Sequence, residues 1–135
     1  MILTYSDLAT DDVRGQTVAD YLVGVDAFLR LVDDGVLLFE EPSFPICELA
    51  RSLHRWLQGE EGRDFVFDSM SFEEKGVVSV LQSEGGWIFT SSFAPEIHSS
   101  VLDRSEMVGV VNLFMAKLRL DLRSCDINLE WLLNS

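Results

Sequence analysis

Apolar residues change their period along this chain, and a sequence that moves between period two and period 3.6 must pack strands against helices. In residues 20–32, Tyr21, Val23, Val25, Ala27, Leu29 and Leu31 alternate with a mixed set, as expected of a strand with one buried face. Asp33-Asp34-Gly35 supplies turn chemistry, and Val36 to Glu41 returns as the second strand of a hairpin. Met1 to Ser6 reads as a short strand ahead of it, and residues 7–19 as a polar loop. Pro42 and Pro45 bracket a break. The period then changes: Ile46, Leu49, Ala50, Leu53, Trp56 and Leu57 fall within an arc of about 120° on a helical wheel, with Glu48, Arg51 and Arg55 opposite. That amphipathic helix ends near Gly59-Glu60-Glu61-Gly62.

Three short strands are expected next, at 64–69, 76–83 and 87–93, with Gly85-Gly86 as a hairpin turn. Phe65 and Phe67 share one face of the first, and Trp87, Phe89, Ser91 and Phe93 one face of the last. Asp103 and Glu106 have capping-box spacing ahead of a helix reaching about Ser124. Its broad apolar face holds Met107, Val108, Val111, Phe114, Met115, Leu118 and Leu122. Asp121 falls inside that apolar arc and needs a partner or a place at its edge. Residues 127–133 form a last helical segment carrying Trp131. The expected fold is α+β, a mainly antiparallel sheet of five to six strands with two to three helices on one face. At 135 residues the chain reads as a single domain, 1–135, without repeat or linker.

Charge narrows the functional classes. There are 23 Asp and Glu against 10 Lys and Arg, a net of −13. Nucleic acid and anionic membrane both require basic surface, so neither is an expected partner. No apolar run approaches the ~20 residues of a membrane span, and the N-terminus lacks a secretory pattern. A cytoplasmic protein with two buried free thiols, Cys47 and Cys125, is the expectation. A Cys2His2 zinc site from these and His54 and His98 is disfavoured. Cys47 and His54 lie two turns apart, roughly 10 Å along one helix, and no short Cys or His pairing occurs. A Cys47–His54 or Cys125–His98 dyad would need an electropositive setting that so acidic a chain supplies poorly. Asp64 and Asp68, on one strand face, would stand about 13 Å apart, too far for a glycosidase pair. No catalytic residue, metal or cofactor is expected.

The acids are unevenly spread. Residues 1–50 hold ten acids and two bases, Arg14 and Arg30, whereas residues 107–135 hold three of each. A one-sided acidic field speeds encounter with a basic partner and makes binding sensitive to salt; acidity can equally serve solubility alone. The candidate partner-binding carboxylates are Asp11, Asp12, Glu40, Glu41, Glu60, Glu61, Asp68, Glu73 and Glu74. Phe72, in a polar turn, is a candidate aromatic anchor or else packs back beneath that turn. Leu113 and Leu120 lie off the main apolar face, where they either hold the Trp131 segment or form a self-association patch, giving a homodimer.

The runs Glu48-Leu49-Ala50-Arg51-Ser52-Leu53-His54-Arg55-Trp56-Leu57 and Asp64-Phe65-Val66-Phe67-Asp68-Ser69-Met70-Ser71-Phe72-Glu73-Glu74, with Trp87-Ile88-Phe89 and Ser92-Phe93-Ala94-Pro95, resemble an uncharacterised family of small acidic bacterial proteins. That resemblance implies size and organisation, not chemistry. In size and acidity the chain is also similar in type to immunity proteins of polymorphic and contact-dependent toxin systems. The likeness implies a non-enzymatic binder that neutralises a basic toxin domain, such as a nuclease. A homo-oligomeric structural protein and a small enzyme are the alternatives.

Overall fold

A computed structural model describes residues 1–135. The chain is α+β, with two three-stranded antiparallel sheets and four helices. In chain order the elements are β1 (Ile2–Ala9), α1 (Val18–Gly24), β2 (Asp26–Asp33), β3 (Val36–Pro45), α2 (Ile46–Gln58), β4 (Phe65–Val66), β5 (Ser79–Ser83), β6 (Gly86–Thr90), α3 (Arg104–Arg123) and α4 (Leu129–Leu133). The first sheet has the order β1-β2-β3 and the second β4-β5-β6.

The expected five-to-six-strand sheet is therefore corrected to two smaller ones, and the edges show why. The outer strand β3 contains Pro42 and Pro45, which have no N–H to give a further neighbour. Between Glu41, opposite Leu29, and Phe44, opposite Ala27, β3 carries one extra residue. That bulge places Ser43 at φ 54° and bends the strand away from further pairing. Pro42 thus lies inside a bulged edge strand rather than at a break. In the second sheet, β6 has its free edge taken by the 98–102 segment, through bridges Trp87–Leu102 and Thr90–His98.

Both hairpins follow from their turns. Asp34 and Gly35, at φ 49° and 77°, connect β2 to β3, and Glu84 and Gly85, at 48° and 81°, connect β5 to β6. Two successive positive φ values match the twist of the strands they join. The second turn sits one residue earlier than Gly85-Gly86, because Gly86 is already paired with Ser83. A second correction concerns residues 20–32. The alternation is real from Val25 to Leu31, where Val25, Ala27, Leu29 and Leu31 are buried, but residues 18–24 are helical. Thr17 caps that helix: its hydroxyl accepts from the Asp20 amide while the Asp20 carboxylate accepts from the Thr17 amide. The supposed loop 7–19 loses its first residues to β1 and its last to α1.

Helices α2 and α3 lie where their periodicity puts them. Asp103 and Glu106 form the expected reciprocal cap on α3. Leu3, Tyr5, Leu29, Leu31 and Phe39 form the covered face of the first sheet. Its other face carries Ile2 and Arg30, with Arg30 on the Phe28 ring and 3.3 Å from Glu40. The second sheet joins the same cluster of 34 buried side chains through Phe65, Phe67, Val80 and Phe89. Aromatic contacts link β3 to residues just beyond the strands of the second sheet, Phe44 to Phe67 at 5.6 Å and Phe39 to Phe93 at 5.9 Å. Phe93, expected on the core face, is half exposed beyond the end of β6. The expected 64–69 strand shrinks to the two residues of β4. Cys47 is buried, but Cys125 is exposed in the turn after α3, against expectation.

Candidate binding surface

One corner of the molecule gathers acids around Phe44 and Pro45, where β3 becomes α2. Asp26, which begins β2, is paired with Pro45. Partial burial, followed by Asp12 and then Asp11 in the turn after β1, raises the Asp26 carboxyl above the usual carboxylate range. Phe72 lies on the other flank of the corner, its ring 5.5 Å from Phe44. Phe72 therefore packs back beneath its turn and keeps only part of its ring free. Asp68, Glu73 and Glu74 project from the same 68–74 segment, all exposed.

That segment is positioned by a residue the helical wheel misplaces. Glu48 belongs to the exposed side of α2 by periodicity, yet it is buried. Its carboxylate accepts from the Ser69 hydroxyl and, at 3.2 Å, from the Met70 amide. Ser69 Oγ in turn accepts from the Ser71 amide at 2.9 Å. A buried carboxylate held by these donors fixes the acidic turn beside the first turn of α2.

Two bases meet acids of this region and others are committed elsewhere. Arg14 pairs with Asp12 at 3.5 Å and Lys75 with Asp68 at 3.6 Å, both in open solvent. Arg51 and Arg55 both donate to the Ser135 carbonyl, at 2.8 and 2.9 Å. Asp11, Asp26, Glu73 and Glu74 have no ion-pair partner within 4 Å.

The other candidate acids lie elsewhere. Glu40 faces the outer side of the first sheet and is paired with Arg30, while Glu41 is half-buried opposite Leu29. Glu60 and Glu61 lie past the far end of α2, about 18 Å from its first turn. There Arg104 comes within 3.8 Å of Glu61. The ten candidates therefore divide into three places. Asp11 and Asp12 act on Asp26 beside Pro45 and Phe72 touches Phe44, with Asp68, Glu73 and Glu74 on the same turn as Phe72, while the other four lie in two places apart from these. Sequence reasoning missed Asp26 and Glu48. The signal for Glu48 was its place in the first turn of a helix that starts just after Pro45, where an acid is favoured.

A second ionisable group of note lies under α3. The Tyr5 hydroxyl donates to Asp121 at 2.5 Å, and Lys117 reaches Asp121 at 3.3 Å and the Tyr5 carbonyl at 3.0 Å. Lys117 also lies 3.5 Å from the centre of the Tyr5 ring. This is the partner that Asp121 requires. Burial first, and then Asp121, push the Tyr5 hydroxyl far above the usual phenol range, so it remains a donor. Burial alone pushes the Cys47 thiol up to about 12, leaving it unreactive. No helix is long and apolar enough to cross a membrane.

Leu113 and Leu120 do not hold the Trp131 segment. Trp131 packs edge-on against Tyr21 of α1 at 5.7 Å, and the two leucines remain 76 % and 64 % exposed.

Fold and surface together define a small acidic α+β protein, some of whose carboxylates lie near a sheet-to-helix corner. Residues 1–124 match a domain of unknown function (DUF7878), and the chain belongs to that family. Neither the curated proteins nor the solved structures include a match to the chain.

Proposed function

We propose that this protein is a non-enzymatic binding protein whose acidic corner engages a basic protein partner. In its most specific form the proposal makes it an immunity protein that neutralises a cognate basic toxin domain in the cytoplasm. The observation that carries the reading is that Asp11, Asp26, Glu73 and Glu74 have no ion-pair partner in the chain, while Asp12 and Asp68 are paired only in open solvent, with Arg14 and Lys75. Partial burial and then the charges of Asp12 and Asp11 disfavour the Asp26 carboxylate, and a Lys or Arg docked beside it would favour the ionised form. The exposed part of Phe72 offers an apolar contact beside Glu73 and Glu74, while Glu48 keeps the turn in place before the partner arrives. Glu40, Glu41, Glu60 and Glu61 contribute to long-range attraction rather than to the contact itself.

The test is capture from a lysate of the native organism at low salt, then elution with salt, using wild type and a Glu73→Lys/Glu74→Lys variant as bait. A basic protein held in stoichiometric amount by wild type and lost from the variant supports the proposal. Equal retention by both removes the 68–74 turn from the interface. A second reading, self-association, is favoured by one observation of its own, the exposure of Leu113 and Leu120 on α3.

A further inference from the structure

The self-association reading leaves open which surfaces meet and in what orientation; the outer face of α3 answers both. Glu106, Gly109, Leu113, Ala116, Leu120 and Arg123 are spaced by three and four residues in turn. They fall within about 100° of the helix circumference, on the side away from the buried Met107, Val111, Phe114 and Leu118. Such spacing is that of a seam between two helices.

Gly109 is the most telling member. It is the sixth residue of a twenty-residue helix, where glycine weakens the helix relative to alanine. A Cβ built there would meet nothing within 4 Å, so no neighbour in the chain requires glycine. The position opens onto a groove of about 580 Å³ walled by Met1, Leu102 and Leu113. A notch without an internal reason and a leucine eleven residues further along the same stripe are complementary shapes.

We propose that two copies of this chain associate through α3, antiparallel and about a two-fold axis between Phe114 and Met115. In a two-fold contact, if one residue faces a second, the second faces the first. This register sets Leu120 of each copy into the Gly109 notch of the other, and Leu113 against Ala116. It also sets Glu106 against Arg123, twice. Charge complementarity supports the second copy as occupant: Arg123 makes no ion pair within its own chain, whereas Lys117 and Arg119 are engaged with Asp121 and Glu130. Glu106 makes no ion pair either, spending one oxygen on the Asp103 amide. In a chain of net charge −13, residues 107–135 carry three acids and three bases, so copies meet there with least repulsion. The acidic corner is left free. Parallel pairing would instead oppose Glu106 to Glu106 and Arg123 to Arg123.

The experiment is sedimentation velocity of the purified protein up to millimolar concentration, repeated on variants. Wild type should dimerise reversibly. Gly109→Leu should keep or raise the melting temperature, because the side chain enters open space and favours helix, yet abolish the dimer by filling the notch. Arg123→Glu should raise the dimer dissociation constant about tenfold or more, since each substitution counts twice, and adding Glu106→Arg should return most of the loss. Thermal denaturation of each variant separates a weakened helix cap from a weakened dimer. A strict monomer at millimolar concentration would overturn both this geometry and the self-association reading. A dimer indifferent to Gly109→Leu, or a double swap weaker than Arg123→Glu alone, would overturn the geometry and leave the broader reading standing.

Discussion

The Phe44–Pro45 corner and the outer face of α3 are opposites in their chemistry. At the corner, acids from the β1 turn, from β2 and from the 68–74 turn converge with only Arg14 and Lys75 to offset them. On that face of α3 Glu106 and Arg123 are opposite charges at its two ends, and Leu113 and Leu120 stand exposed between them. An acidic chain has thus segregated its charge instead of spreading it. A partner proposed for the first surface would be drawn by a field that salt screens, whereas a copy proposed for the second would be held mainly by apolar area, which salt affects far less.

The contrast can be broken most severely at its structural root. Phe44 is fully buried against Phe67 and Phe72, so Phe44→Ala should cost about 3–5 kcal/mol in chemical denaturation. Because the Phe44 ring packs on Phe67 and Phe72, amide exchange should rise in the 68–74 turn before it rises in α3. Simultaneous loss of protection in both would mean that the two surfaces are not independent. Glu48→Ala comes next. It strips the Ser69 and Met70 donors of their acceptor and should cost about 1–3 kcal/mol, with Glu48→Gln recovering part. On the other side, Tyr5→Phe removes the bond to Asp121 beneath α3 and should cost about 1 kcal/mol, without altering the acidic corner.

Two carboxyls sharpen the comparison through pH, with opposite signs. The Asp33 carboxyl is held below its usual range, chiefly by the Ser100 amide at 2.7 Å and then by the amino terminus at 3.3 Å. Its stabilisation is present above the ordinary carboxylate pKa and is lost as pH falls through the lowered folded value. The Asp26 carboxyl is raised, so its ionised form strains the fold at neutral pH, and the strain is relieved as pH falls through that raised value. Asp33→Asn should therefore lower the melting temperature at pH 7 and Asp26→Asn should raise it slightly. A fall with Asp26→Asn would show that its carboxylate is not strained by burial and by Asp12 and Asp11.

Much of the scaffold is legible in the sequence because its signals are local. The 3.6 period of residues 46–57, the Asp103–Glu106 cap and the Asp-Gly turn each act within a few residues, and each lies where expected. Residues 18–24 were misread because a seven-residue helix shows too few turns for its period to differ from alternation, and the Thr17–Asp20 cap was the overlooked sign. The division into two sheets depends on which distant edges meet, which no local pattern encodes. The site was less legible than the fold. Composition revealed the acids but could not gather them: Glu60 and Glu61 have the same local appearance as Glu73 and Glu74 yet lie past the opposite end of α2. Asp26 escaped notice as a polar residue on the mixed face of a strand. Glu48 escaped because burial of a wheel's polar side depends on a segment twenty residues away folding over it.

The most direct test of the acidic corner is a site-resolved one. Backbone amide chemical shifts of the labelled protein would be followed while an arginine-rich peptide is added at low salt, and again in molar salt, where the screening length is about 3 Å. The account predicts shifts concentrated at Asp11, Asp12, Asp26 and residues 68–74, abolished by salt, with Leu113 and Leu120 unmoved. Shifts scattered over all acidic positions, Glu40, Glu60 and Glu61 included, or centred on α3, would contradict it.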